Sequence, residues 1–306
     1  MNPTVKRILV WAWVVFTGVF LILTGLYGWT LFVVMPILLG GVVAVCSGSA
    51  TAGQAMLRGA LANVVVSALF LLAGAEGLIC IAMALPLTTP LGGFGGWVAY
   101  SLKARGETTV MPVALVLLPA GMTGIDMTAK APLFEVRTAI EINAPPEMVW
   151  KHVTSFSDLA EPADWYFRAG LAYPKRASID GVGVGAVRRC EFSTGAFVEP
   201  IEVWDEPRLL RFAVTENPPP MHEWSPYANL VPRHLNGYMI SKRGQFELHP
   251  LPGGRTRLEG TTWYVHSFWP AQYWRLWSDA IIHRIHTRVL THIRGLAESE
   301  TPHSFQ

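Results

Sequence analysis

Two side chains of opposite charge fall on one face of a single hairpin in this chain. In "RRCEFSTGAFVEP", Arg188 to Pro200, a two-residue turn at Thr194-Gly195 pairs Ser193 with Ala196, Phe192 with Phe197 and Cys190 with Glu199. The apolar face is then Cys190, Phe192, Phe197, Ile201 and Val203, and Arg188 and Glu199 lie on it as diagonal neighbours. An acid beside a base on an inward face can fix a polar group of a ligand. The same pair at a sheet rim is an ordinary ion pair. Register decides between the two, because a one-residue slip turns both side chains outward. Arg288 and His292 sit within the apolar stripe of the last helical segment, directed inward or capping its end. His222 and His234 lie in a long insertion and offer imidazoles for proton transfer, with no nucleophile constellation beside them. Arg188, Glu199, His222, His234, Arg288 and His292 are the expected ligand contacts; no residue is assigned a catalytic role.

Other patterns compete less well. Asp279, His283 and His286 share a helix face at i, i+4 and i+7, a spacing that suits a divalent metal but more simply a solvated face. "GVGVGA", Gly181 to Ala186, matches a dinucleotide-binding pattern in form only, since no strand precedes it and no helix follows. Three cysteines, Cys46, Cys80 and Cys190, allow no disulfide framework and no CxxC metal spacing. No metal site and no cofactor is expected. A formal charge of +2 over 306 residues makes no electrostatic case for nucleic acid.

The elements that must carry these side chains begin near Arg137. Val136, Thr138, Ile140 and Ile142 alternate with polar neighbours as a half-buried strand. Pro145-Pro146 end the ladder, Pro146 suits the first helical position, and Val149, Val153 and Phe156 follow at helical spacing. A second short helix is expected near Asp158. Strands follow at "GAVRRCEFS", "AFVEPIEVW", "RLLRFAVTE", "KRGQFELHP" and "RTRLEGTTWYVHSF", with the insertion Thr215 to Ile240 between the third and fourth of these. The last element is a long helix, about Pro270 to Ala297, with Trp274, Ile281, Ile285, Val289, Ile293 and Leu296 as its stripe.

Strand, two helices, an antiparallel meander and one long helix, opened by "IEINAPPEMVWKHVTSFSDL" and closed by "YWRLWSDAIIHRIHTRVLTHIRGLAE", resembles the SRPBCC or START-like superfamily of helix-grip proteins. Polyketide cyclase/dehydrase and Bet v 1-like proteins belong to it. The resemblance covers about Phe134 to Glu298. It implies a curved antiparallel sheet wrapped around the final helix, with a cavity for a hydrophobic small molecule or lipid. Such motifs identify the fold and not the chemistry.

The amino-terminal half is apolar. Ile8 to Trp29, Leu31 to Gly48, Ala60 to Leu85 and the shorter Pro90 to Leu102 are candidate bilayer spans, while Val110 to Gly121 is too short to cross. Lys6, Arg7, Arg58, Lys103 and Arg105 then fall on one side, with uncharged turns near Gly28 and Thr88 on the other. Four crossings and the positive-inside rule place the carboxy-terminal domain in the cytoplasm; if the fourth run is only re-entrant, the domain lies outside. Glu76, inside the third run, is an intramembrane carboxylate, read most simply as neutral or bonded to a neighbouring helix.

The expected fold class is an α-helical transmembrane bundle followed by an α+β helix-grip domain. Residues 1–130 form the membrane region and linker, 131–300 the helix-grip domain and 301–306 a tail. The expected setting is a bacterial inner membrane, with the bilayer and a hydrophobic small molecule or lipid as partners. Three functions fit: a binding module for such a ligand, a cyclase/dehydrase-like enzyme, or a scaffold with a closed cavity.

Overall fold

The computed structural model describes residues 3–107, 110–227 and 231–300, and the tail 301–306 lies outside them. The chain forms two compact units. One comprises Met1–Lys130 with Glu223–His234 and Ser267–Tyr273; the other comprises Ala131–His222, Leu235–His266 and Trp274–Gln306. The carboxy-terminal half therefore lends two short segments to the helical unit.

The second unit is a seven-stranded antiparallel sheet in the order β1-β7-β6-β5-β4-β3-β2. The strands are β1 Leu133–Ile142, β2 Pro174–Asp180, β3 Val187–Phe192, β4 Gly195–Asp205, β5 Leu209–Ala213, β6 Met239–Leu251 and β7 Arg255–His266. In β1, Phe134, Val136, Thr138 and Ile142 are buried while Arg137 and Glu141 are exposed, the alternation expected of a strand with one solvated face. Pro145 caps the helix Pro146–Thr154 in extended conformation, and Val149, Trp150 and Val153 bury its inner face. The closing helix, Ala271–Glu300, presents Val289, Leu290, Ile293 and Ala297 to the same core as Leu210, Phe212, Leu248 and Leu258 of the sheet. The core stripe is thus wider than the sequence stripe and shifted toward Leu290 and Ala297.

Two expectations change in the first part of this unit. β2 was not anticipated, because "PKRASID" buries only Pro174 and Ala177 and shows little apolar alternation. The short helix expected near Asp158 instead covers Trp165–Arg168. "GVGVGA" is the β2–β3 turn, with positive φ at Gly181, Gly183 and Gly185, a conformation that L side chains adopt at a cost.

The first unit contains α1 Pro3–Thr24, α2 Met35–Cys46 entered through a π-helical turn at Thr30–Val34, α3 Ala52–Leu72, α4 Leu78–Ala104 and α5 Val110–Thr128. The apolar run Ala60 to Leu85 is not one helix. It breaks between Leu72 and Leu78, and Glu76 sits in that turn rather than in mid-span. Thr88 is inside α4, which also takes in Pro90 to Leu102, so the expected turn there does not exist. Val110 to Gly121 is part of a 19-residue helix. α2, α3 and α4 pack through small residues: a Cβ on Gly92 would lie 1.9 Å from Nδ2 of Asn63, and one on Gly40 would lie 1.9 Å from the carbonyl oxygen of Gly92. Asn63 donates to the carbonyls of Pro36 and Gly59 at 3.3 and 3.0 Å.

Ala44, Ala55 and Ala99 meet at one end of the bundle, where Arg58 donates to the Ser47 carbonyl. At the other end Asp126, near the close of α5, accepts from the backbone N–H groups of Trp29 and Thr30 at 2.8 and 2.9 Å.

Candidate functional site

The β3–β4 turn is Ser193-Thr194, with Phe192 opposite Gly195. This is one residue earlier than the sequence spacing indicates. Moving a two-residue turn by one position shifts the pairing by two, so faces are preserved while partners change. Arg188 therefore stands directly opposite Glu199, not diagonal to it, and Cys190 stands opposite Phe197. A register shift between Ile201 and Val203 exchanges the next inward side chain. Trp204 rather than Val203 packs on the core, edge-on to Trp150 at 5.5 Å.

Arg188 and Glu199 are both buried, and a guanidinium N–H of Arg188 donates to the Glu199 carboxylate. Arg188 also donates through Nε to the Thr154 carbonyl at 3.2 Å. The rings of Phe156, Phe212 and Phe246 lie 5.5–5.6 Å from the guanidinium carbon, close enough for cation–π attraction. Burial holds the Glu199 carboxyl above its ordinary value, against the opposing pull of the guanidinium. Burial also raises the neighbouring Cys190 thiol to about 12, which keeps it protonated. Phe156, Cys190, Ile201 and Phe212, which surround this pair, belong to one buried core cluster.

Open volume lies elsewhere. A cleft of about 670 Å³ runs along the closing helix, between it and the segment that follows the first helix of the domain. Leu159, Ala160, Asp164 and Tyr166 form one wall; Ala280, His283, Arg284, Thr287, Arg288, Thr291 and His292 form the other. Arg284 stacks 4.6 Å above the Tyr166 ring, and Arg288 stacks 5.6 Å from that of Tyr173. Arg288 also donates to the carbonyls of Ala160 and Pro174. His292 Nε2 is 3.1 Å from the Ser157 carbonyl oxygen. Burial lowers the pKa of both Arg288 and His292. Apolar, aromatic and cationic groups thus share one opening.

Of the six expected ligand contacts, Arg288 and His292 line this cleft, and Arg188 and Glu199 are in the packed interior. His222 is exposed, and its backbone N–H donates to the Gly170 carbonyl at 2.8 Å. His234 belongs to the helical unit. Arg284 and Tyr166 were missed. The signal for the first was a second helix face at Ala280, Arg284, Thr287 and Thr291, one step round from the apolar stripe. Asp279, His283 and His286 do not gather for a metal. Asp279 accepts from Tyr264 and Arg275, and both histidines bond Thr138.

Residues 134–270 match the family model described as polyketide cyclase/dehydrase and lipid transport. No curated protein matches this chain. Among solved structures, the chain is similar to the Zhui aromatase/cyclase from Streptomyces sp. R1128, at 17% identity over 56% of this chain and 98% of that one, TM-score 0.38. It is also similar to Thalictrum flavum norcoclaurine synthase in complex with dopamine and hydroxybenzaldehyde. There the identity is 14% over 58% of this chain and 93% of that one, TM-score 0.37. The carboxy-terminal domain has the antiparallel sheet and long closing helix of a helix-grip fold, and over residues 134–270 it resembles the polyketide cyclase/dehydrase family.

Proposed function

We propose that this protein binds an amphipathic small molecule, with an apolar or aromatic body and an anionic head, in the cleft along the closing helix, and that the apolar helices hold it at a membrane. The cleft carries this reading. Its volume suits a ligand of drug or lipid-fragment size, and Arg284 and Arg288 lie beside apolar and aromatic walls. Titration of the full chain in detergent with 8-anilinonaphthalene-1-sulfonate, an anionic aromatic probe, tests it. Saturable fluorescence enhancement is expected, at least tenfold weaker in affinity for Arg284→Ala/Arg288→Ala. Equal affinity in the double variant would remove the cleft as the site.

Membrane attachment rests on α3 and α4. Both are long and apolar enough to cross, and only 22% of each apolar window is buried within the protein. Leu57, Leu61, Val65, Leu69 and Leu72 of α3 point outward, unlike the core helix of a soluble protein. The reading of orientation also changes. Lys103 and Arg105 end α4 and Arg58 lies early in α3, so these charges share one end of the bundle. α5 runs from that end to the Asp126 end, where the chain leaves for β1. The positive-inside rule then favours the non-cytoplasmic side for the helix-grip domain.

A further inference from the structure

The turn that holds Glu76 is covered by the middle of the β5–β6 connection. Glu223 accepts from the backbone N–H groups of Ile79 and Cys80, both at 3.0 Å, and so caps the start of α4. The Trp224 carbonyl accepts from the N–H of Leu78 at 2.9 Å, and the Tyr227 hydroxyl donates to the Leu72 carbonyl. These bonds bring His234 over the turn. Its Nε2 is 2.7 Å from Sγ of Cys80, and its Nδ1 is 3.4 Å from Oε2 of Glu76. Tyr27 donates its hydroxyl to the other Glu76 oxygen. Glu76 is 7% exposed and His234 3%. Although they face each other, neither Glu76 Oε2 nor His234 Nδ1 has a hydrogen-bond partner among the described residues.

We infer that Glu76, Cys80 and His234 bind one divalent transition-metal ion of the zinc class. One donor atom from each, a single ring nitrogen in the case of His234, lies within 4.8 Å of the other two; an ion with bonds of ~2.0–2.3 Å would take one imidazole nitrogen and widen the 2.7 Å contact between Cys80 and His234. This is the only group of three or more His, Cys, Asp or Glu among the described residues with that convergence. Thiolate, imidazole and carboxylate together select zinc-like ions over calcium or magnesium. Charge points the same way. A dication bound by one thiolate and one carboxylate is neutral overall, which suits a buried site. Binding releases the Cys80 thiol proton to solvent and leaves the imidazole neutral. Tyr27 fixes the Glu76 carboxylate, as outer partners of metal ligands do. With three protein ligands, the fourth position takes water. The ion clamps the β5–β6 connection to the α3–α4 turn.

The test uses full-length protein purified in detergent through a histidine-free tag. Elemental analysis should find about one zinc per chain, or zinc-free protein should take up one Co²⁺ with a thiolate-to-cobalt absorption band. Cys80→Ser and His234→Ala should lose the band, and Cys46→Ser should keep it. Because a variant could fail to fold, the wild-type Co²⁺ titration stands alone as a measurement. No zinc as purified and no band on Co²⁺ addition would overturn the site, leaving a plain thiol–imidazole contact. A band that survives both substitutions in folded protein would also overturn it. Neither result bears on ligand binding in the cleft.

Discussion

Arg188 faces Glu199 directly across the β3–β4 ladder, and both side chains are shut away from solvent beneath three phenylalanine rings. Their closeness is a property of the core and not of the open cleft.

Removing one partner strands the other charge. Glu199→Ala and Arg188→Ala should each destabilise the protein by about 3 kcal/mol or more, and the double substitution should cost less than the sum. Thermal melts of the four proteins measure this. Single losses of about 1 kcal/mol that add would mean an exposed pair.

Gly244 supports the same cluster from β6. A Cβ there would lie 2.5 Å from the Phe212 ring, one of the three that cover Arg188. Gly244→Ala should lower stability by about 1–3 kcal/mol through overpacking. An unchanged melting temperature would show that the ring has room to move.

Acid should weaken the domain through His286. Its Nδ1 and Nε2 are bonded to the hydroxyls of Thr138 and Thr262, and burial followed by the nearby His283 lowers its pKa from 6.5 to about 4. The folded state therefore resists a proton that the unfolded state accepts. This contribution is complete above pH 6.5 and is lost progressively as pH falls toward 4, to a limit of about 3 kcal/mol. His286→Gln should flatten that part of the stability–pH curve; a curve of unchanged slope would assign the acid sensitivity to other groups.

Orientation is open to a direct reporter. With Arg58, Lys103 and Arg105 at the cytoplasmic end, alkaline phosphatase fused after residue 300 should be active and a cytoplasm-dependent fluorescent protein should not. The reverse pair of results would restore the cytoplasmic reading.

Much of the helix-grip domain was legible because its signals are local. The alternation of β1, the Pro145-Pro146 break and the stripe of the last helix each follow from a few residues. The inward face of Arg188 and Glu199 followed from parity alone, which survives a displaced turn. β2 was hidden because it buries so little, and the Trp204 inversion because a bulge leaves no mark in apolar spacing. The bundle was harder to divide. Apolar composition runs unbroken past the turn between Leu72 and Leu78, and Pro86 and Pro90 suggest an end where α4 continues. The meeting of His234 with Glu76 and Cys80 joins residues about 150 positions apart through a loop, and no periodicity encodes it.

The most direct measurement of the central claim is native mass spectrometry of the full chain released from gently solubilised membranes. The cleft reading predicts a bound small molecule on the wild type and its loss from Ala280→Trp, whose indole would occupy the cleft from the exposed face of the closing helix. An adduct of equal occupancy on both proteins would contradict it.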